Sequence, residues 1–254
     1  MSIQTVGIVG AGTMGNGIAQ ACAVAGIPVV MVDISEAAVQ KGLATIAGSL
    51  DRLIKKEKIT AADKDKALSL IKTSTSYDDL KAAQLVIEAA TENYDLKVKI
   101  LQQLDSLLTP EALMASNTSS ISITKLAAVT QRADKFIGMH FFNPVPMMKL
   151  VEIIRGLQTS DATHDAVKAL AEKLGKTPIT VKNAPGFVVN RILVPMINEA
   201  FYVLAEGTAT PEDIDEGMKL GCNHPIGPLA LADMIGLDVC LAVMEVYLEE
   251  LGDS

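Results

Sequence analysis

The sequence predicts an α/β chain, with a doubly wound parallel sheet over residues 1–183 and a smaller all-helical domain over 184–254. Three observations carry this reading. From Met1 to Val32 there is no Asp, Glu, Lys or Arg, while glycine recurs at 7, 10, 12, 15, 17 and 26. Short β-rich runs then alternate with helical patterns as far as Lys182, as strands joined by crossover helices do. Beyond Asn183-Ala-Pro-Gly186 only helical patterns follow, so a domain boundary falls near residue 184.

Thr5–Gly10 and Pro28–Asp33 read as buried strands around a helix over Thr13–Ala25, and the lack of charge as far as Val32 suits a sheet covered on both faces. The glycines and Pro28 argue against a membrane helix here, and the basic start of a signal peptide is missing. A long helix is expected over Glu36–Lys58, and a second over Ala61–Ile71 with Thr60 as its cap. Further strands are expected at Leu85–Ala89, Leu113–Ser116, Phe136–His140, Leu150–Ile154 and Ile179–Lys182, with helices at Asp95–Leu108 and Asp161–Leu174. The second domain should carry helices at Phe187–Glu206, Pro211–Leu220, Leu229–Met234 and Leu237–Leu251.

Composition narrows the function. The chain has 254 residues, 49% hydrophobic and 20% charged, enough for a full core. A formal net charge of -8 argues against a nucleic-acid partner, which needs a basic face. Cys22, Cys222 and Cys240 form no C-x-x-C pair and have no histidine at metal-ligand spacing. No metal site is expected, and each thiol reads as a small hydrophobe in a reducing cytoplasm. The Met147-Met148 pair reads as packing.

The first strand runs into Gly10-Ala-Gly12-Thr-Met14-Gly15, a G-x-G-x-x-G turn followed by a helix. The first glycine permits the tight turn, the second lets backbone approach a pyrophosphate, and the third lets helix and strand pack closely. The pyrophosphate would meet the free N–H groups and positive dipole of the helix start. Asp33 stands 18 residues past Gly15 at the end of the next strand, placed to accept from ribose hydroxyls. Its charge would repel a 2′-phosphate, so the reading is a Rossmann domain that binds NAD rather than NADP.

More specific segments follow: Glu88-Ala-Ala-Thr-Glu92, Ser116-Asn-Thr-Ser-Ser120, Gly138-Met-His-Phe-Phe-Asn143-Pro144 and Asn183-Ala-Pro-Gly-Phe-Val-Val-Asn-Arg191. In this order and spacing the whole chain resembles the 3-hydroxyacyl-CoA dehydrogenase family, and its bacterial 3-hydroxybutyryl-CoA members most closely. The resemblance implies hydride transfer between NAD(H) and carbon 3 of a short-chain acyl-CoA, bound in the cleft between the domains. It implies His140 as acid/base and Glu152 as the carboxylate that orients it. Ser119, Asn143 and Asn190 become polar contacts to the reacting oxygen and acyl group. Glu92, Lys97 and Asn117 become contacts to the nicotinamide half of NAD, with Gly10, Gly12, Met14, Gly15 and Asp33 on the adenosine side. Ser49 and Lys56 become contacts to CoA, and a homodimer through the helical domain is expected.

The residues themselves agree with this chemistry. Oxidising an alcohol needs a base for the hydroxyl proton, and a histidine's intrinsic pKa suits both directions. A carboxylate on the far ring nitrogen fixes the tautomer and stabilises the imidazolium. Other readings stay open at this point. His140 could be a satisfied core residue, and Glu152 could pair with Arg155. His224 reads as a turn residue and His164 as a polar helix-face residue. Arg52, Lys55, Lys56 and Lys58 form a basic strip suited to CoA phosphates or, equally, a solvated face.

The family usually continues past this length through a further helical segment and a glycine- and basic-rich tail, so the helical domain is expected to be incomplete. Two rival functions remain. One is a β-hydroxyacid dehydrogenase using a lysine acid/base on free acids; the other is a non-catalytic NAD-binding protein. Fatty-acid breakdown, polyester synthesis and aromatic-acid degradation would all use the favoured chemistry.

Overall fold

A computed structural model describes residues 2–252; Asp253 and Ser254 at the expected chain end lie outside the described residues. The chain divides into two compact units, Met1–Asn183 and Ala184–Ser254.

The first unit is built on eight strands: β1 (Val6–Val9), β2 (Val29–Val32), β3 (Ile71–Ser74), β4 (Leu85–Glu88), β5 (Leu113–Ser116), β6 (Phe136–Phe141), β7 (Leu150–Arg155) and β8 (Thr177–Lys182). They form one sheet in the order β3-β2-β1-β4-β5-β6-β7-β8. All neighbours are parallel except β6 and β7. That departs from the all-parallel expectation for a physical reason. No helix lies between β6 and β7, and a short connection without a crossover can only return the chain antiparallel.

The helices are α1 (Thr13–Val24), α2 (Glu36–Lys55), α3 (Ala61–Ser69), α4 (Tyr94–Leu107), α5 (Ile123–Ala127) and α6 (Asp161–Lys173). Side-chain caps start most of them: Ser35 accepts from Ala38 N–H, Asn93 from Leu96, Ser122 from Lys125 and Ser160 from Thr163. Each such cap contributes about 1 kcal/mol. Thr60 begins α3 as expected, in a reciprocal capping box with Asp63.

Successive strand residues point to opposite faces. One face, carrying Val6, Ile8, Val29, Met31, Ile87, Ile137, Met139 and Val151, packs with Ile18 and Cys22 of α1, Val39 and Ile46 of α2 and Val167 of α6. Pairing register puts Val9, Glu88, Ser116 and Gly138 in one row on the other face. His140 lies two residues beyond Gly138, on the same face, and Glu152 is its direct partner on β7.

Three local expectations are corrected. Strand β3 begins at Ile71, where the helix was expected to continue; it is a sheet-edge strand with only Ile71 buried, so little apolar pattern marks it. Cys222 is exposed, whereas Cys22 and Cys240 are buried. Burial pushes the Cys22 thiol up to about 12, so it is inert. Met147 and Met148 are exposed, not packed.

The second unit is helical: α7 (Val189–Ala205), α8 (Pro211–Gly221), α9 (Pro228–Ile235) and α10 (Leu237–Leu251). Ile197 of α7, Ala232 of α9 and Cys240 of α10 form one of its small cores. Among the described residues no helix is long and apolar enough to cross a membrane.

Candidate active site

The carboxyl ends of β1, β2, β4, β5 and β6 share one sheet edge, and the strand order reverses between β1 and β4, where open α/β sheets bind ligands. At this switch point Gly10 has φ +104, and a Cβ there would come 2.6 Å from the Ala89 carbonyl oxygen. A Cβ on Gly15 would lie 1.8 Å from the Gly10 carbonyl oxygen, so only glycine lets α1 start this close to β1. A Cβ on Gly12 would meet nothing within 4 Å, so the helix mouth is open to an incoming group. Gly12 is also the N-cap of α1 and supplies no side-chain acceptor to the first N–H groups. Asn16, which the sequence reading did not single out, donates to the Gly12 carbonyl at 2.7 Å and fixes the turn. Met14 is half-buried against the core.

Asp33 follows β2, half-buried, with Oδ2 accepting from Ala11 N–H at 2.6 Å and Oδ1 from Ile34 N–H at 2.7 Å. Each oxygen keeps further lone-pair capacity for a hydroxyl donor. Open helix mouth, glycine turn and adjacent carboxylate together fit an NAD pyrophosphate and ribose. A bound NAD supplies the hydride acceptor that no protein side chain provides.

Further along the edge, His140 Nδ1 and Glu152 Oε2 lie 2.7 Å apart. Both are buried, Glu152 completely. The pairing follows from the antiparallel turn, because the start of β7 is brought to the edge where the parallel strands end. The Phe142 ring lies 4.5 Å from the imidazole, tilted by 50°, and limits its rotation. Asn117 Oδ1 accepts from Phe141 N–H at 2.9 Å, tying the exit of β5 to the end of β6. Arg155 does not engage Glu152. Three residues apart on a strand, the two point to opposite faces, and Arg155 pairs with Asp161 at 2.7 Å instead.

Between these regions lies a cluster the sequence reading only partly anticipated. Lys97 Nζ is 2.8 Å from Glu88 Oε1 and 3.3 Å from Glu92 Oε2. Glu92 Oε1 accepts from Ser119 N–H at 2.9 Å and from the Thr118 hydroxyl. Desolvation opposes the charge on Glu92, but the Lys97 ammonium and these hydrogen bonds outweigh it and hold its carboxyl below the usual value. Glu88, Ser116 and Thr118 were not singled out; an acid closing the apolar run Leu-Val-Ile was the available signal.

The remaining positions are dispersed. Ser119 is half-buried in the turn after β5, and Asn143 is exposed in the β6–β7 loop, joined to Pro144 by a cis peptide. Ser49 is half-buried in α2 and Lys56 exposed at its C-cap, seven residues or about two turns apart and so on one helix side. Asn190 is half-buried in the first turn of α7, in the second unit. His164 is buried and contacts Thr180 Oγ1 at 2.9 Å, a structural partner.

A dinucleotide turn, an acid after β2 and a buried histidine–carboxylate pair on one edge of a doubly wound sheet define the nicotinamide-dependent dehydrogenase class. Residues 5–184 match the 3-hydroxyacyl-CoA dehydrogenase NAD binding domain, and residues 186–254 match the C-terminal domain of the same family. The chain therefore belongs to the 3-hydroxyacyl-CoA dehydrogenase family, and NAD is its cofactor. Similar proteins include a 3-hydroxybutyryl-CoA dehydrogenase of Bradyrhizobium diazoefficiens, 54% identical over 99% of this chain and 86% of that one. The mitochondrial hydroxyacyl-coenzyme A dehydrogenase of Rattus norvegicus is 44% identical over 97% of this chain and 81% of that one. Among solved structures, the (S)-3-hydroxybutyryl-CoA dehydrogenase of Ralstonia eutropha has a TM-score of 0.97 at 78% identity, covering 99% of this chain and 89% of that one.

Proposed function

We propose that the protein interconverts short-chain 3-hydroxyacyl-CoA and 3-oxoacyl-CoA, such as 3-hydroxybutyryl-CoA and acetoacetyl-CoA, using NAD(H). The observation that carries the reading is the buried contact of His140 Nδ1 with Glu152 Oε2 at 2.7 Å. With Nδ1 committed to Glu152, proton transfer falls to His140 Nε2. In the oxidative direction Nε2 takes the proton of the 3-hydroxyl; in the reverse direction it returns that proton to the 3-oxo oxygen. Glu152 accepts from Nδ1–H in both directions and offsets the positive charge of the imidazolium. Ser119, Asn143 and Asn190 carry the polar contacts to the reacting oxygen and acyl group that the family resemblance implies. Glu92, Lys97 and Asn117 flank the nicotinamide half. Asp33 accepts from the adenosine ribose, and Gly10, Gly12, Met14 and Gly15 form the pyrophosphate turn. Ser49 and Lys56 meet the CoA moiety.

Pairing of two copies through the helical unit belongs to this proposal. Its support is the match of residues 186–254 to the C-terminal domain of the family. A cytoplasmic location is proposed from the unpaired cysteines.

Steady-state rates with acetoacetyl-CoA, longer 3-oxoacyl-CoAs and free acetoacetate, each with NADH and NADPH, test the reading. Fast turnover of acetoacetyl-CoA with NADH is expected. Preference for the free acid would favour the β-hydroxyacid reading, and NADH binding without turnover would favour a non-catalytic protein.

A further inference from the structure

Glu88 ends β4 with a carboxylate that is 0% exposed, and Lys97 on α4 is 1% exposed. Glu88 Oε1 accepts from Lys97 Nζ at 2.8 Å and from Ala90 N–H at 2.7 Å, and its Oε2 accepts from the Ser116 hydroxyl at 2.6 Å. The same ammonium donates to the Ala90 carbonyl at 3.2 Å and pairs with Glu92 Oε2 at 3.3 Å. Glu92 Oε1 then gathers Ser119 N–H at 2.9 Å, Ser120 N–H at 3.1 Å, the Ser120 hydroxyl at 3.1 Å and the Thr118 hydroxyl. An unbroken run of directed contacts thus links the buried end of β4 to Ser119.

As a source of stability this arrangement is poor. Removing two charges from water costs as much as their pairing returns, and apolar residues of similar volume would serve as well or better. What the arrangement supplies is direction: the Glu88 carboxylate fixes the exits of both β4 and β5, and the Glu92 carboxylate fixes the turn that carries Ser119. The adenosine end is held by different contacts, those of Asp33 with Ala11 and Ile34.

We propose that Glu88 is a positioning residue for the reacting end of the site, setting Ser119 through Lys97 and Glu92 while leaving the adenosine anchorage alone. The proposal rests on the reading of Ser119 as a contact to the reacting oxygen. Its signature is a split between turnover and cofactor binding. A displacement near 1 Å at the reacting groups can cost on the order of 100-fold in rate, whereas NADH keeps its anchor.

The test measures kcat for acetoacetyl-CoA reduction, and the NADH dissociation constant by fluorescence, in Glu88→Gln protein shown to be folded. The expected result is a kcat lowered by about 10- to 100-fold with NADH affinity changed by less than about threefold. Turnover within about twofold of the parent would overturn the proposal. So would kcat and NADH affinity falling in step, which marks a merely structural role. Should Glu88→Gln fail to fold, Ser116→Ala removes the hydroxyl that donates to Glu88 Oε2 instead. It should show the same split; parental turnover in folded Ser116→Ala protein would overturn the proposal. Failure of the underlying reading looks different: the parent protein itself would not reduce acetoacetyl-CoA, and the positioning proposal would fall with it.

Discussion

At the β2 end of the sheet edge, Asp33 is half-exposed and receives two backbone N–H groups, from Ala11 and Ile34. Toward the β7 end, Glu152 is fully buried and faces the His140 imidazole across an antiparallel pair. The first carboxylate is held by backbone N–H groups, one from the next residue and one from the glycine turn 22 residues earlier, and water can partly replace what it loses. The second is held by a residue twelve positions away that reaches it only because the chain reverses between β6 and β7. A binding contact to backbone at a half-exposed strand end can therefore be forgiving, while the proton-transfer pair depends on side-chain register in a buried place, where a missing partner is expensive.

Substitutions at the two ends should break this contrast in different ways. His140→Gln should lower turnover by about 10²–10⁴, the usual contribution of a positioned acid/base, while NADH fluorescence titration shows near-parental binding. Glu152→Gln should lower turnover by about 10- to 100-fold, as loss of an orienting partner does for metal-bound histidines, again at near-parental NADH affinity. At the other end, Asp33→Ser should weaken NAD binding by about 1.5–3 kcal/mol, the range for hydrogen bonds to a charged group. The same variant should raise relative use of NADP, measured as the ratio of kcat/KM for the two cofactors; an unchanged ratio would remove Asp33 from the ribose. The smallest effect belongs to exposed Lys56. Lys56→Ala should raise the KM for acetoacetyl-CoA by up to about fivefold, within the range of exposed ion pairs. That rise should be larger at low salt, with the KM for NADH unmoved. Equal effects on both substrates would mark Lys56 as part of a solvated face.

The same contrast explains what the sequence made legible. The glycine turn and Asp33 belong to one βαβ pattern, with Asp33 18 residues past Gly15, so spacing alone exposes them. His140 and Glu152 carry no local mark of their pairing; the resemblance supplied it, and the reversal that brings them together was read as one more parallel step. Strand β3 was missed because an edge strand with one buried residue has little hydrophobic periodicity to show. The motif around Glu88 does not reveal its role, since its partners come from β5, α4 and the Ala90 backbone. Buried ionic contacts of this kind follow from register, which composition does not reveal.

The central claim is that His140 and Glu152 act as one unit in proton transfer, and a double-mutant cycle tests it most directly. Turnover of acetoacetyl-CoA with NADH would be measured in His140→Gln, Glu152→Gln and the double variant, each verified as folded. Once His140 is gone, Glu152 has no imidazolium to stabilise, so the double variant should be scarcely slower than His140→Gln alone. Multiplication of the two single losses would show independent roles and contradict the dyad.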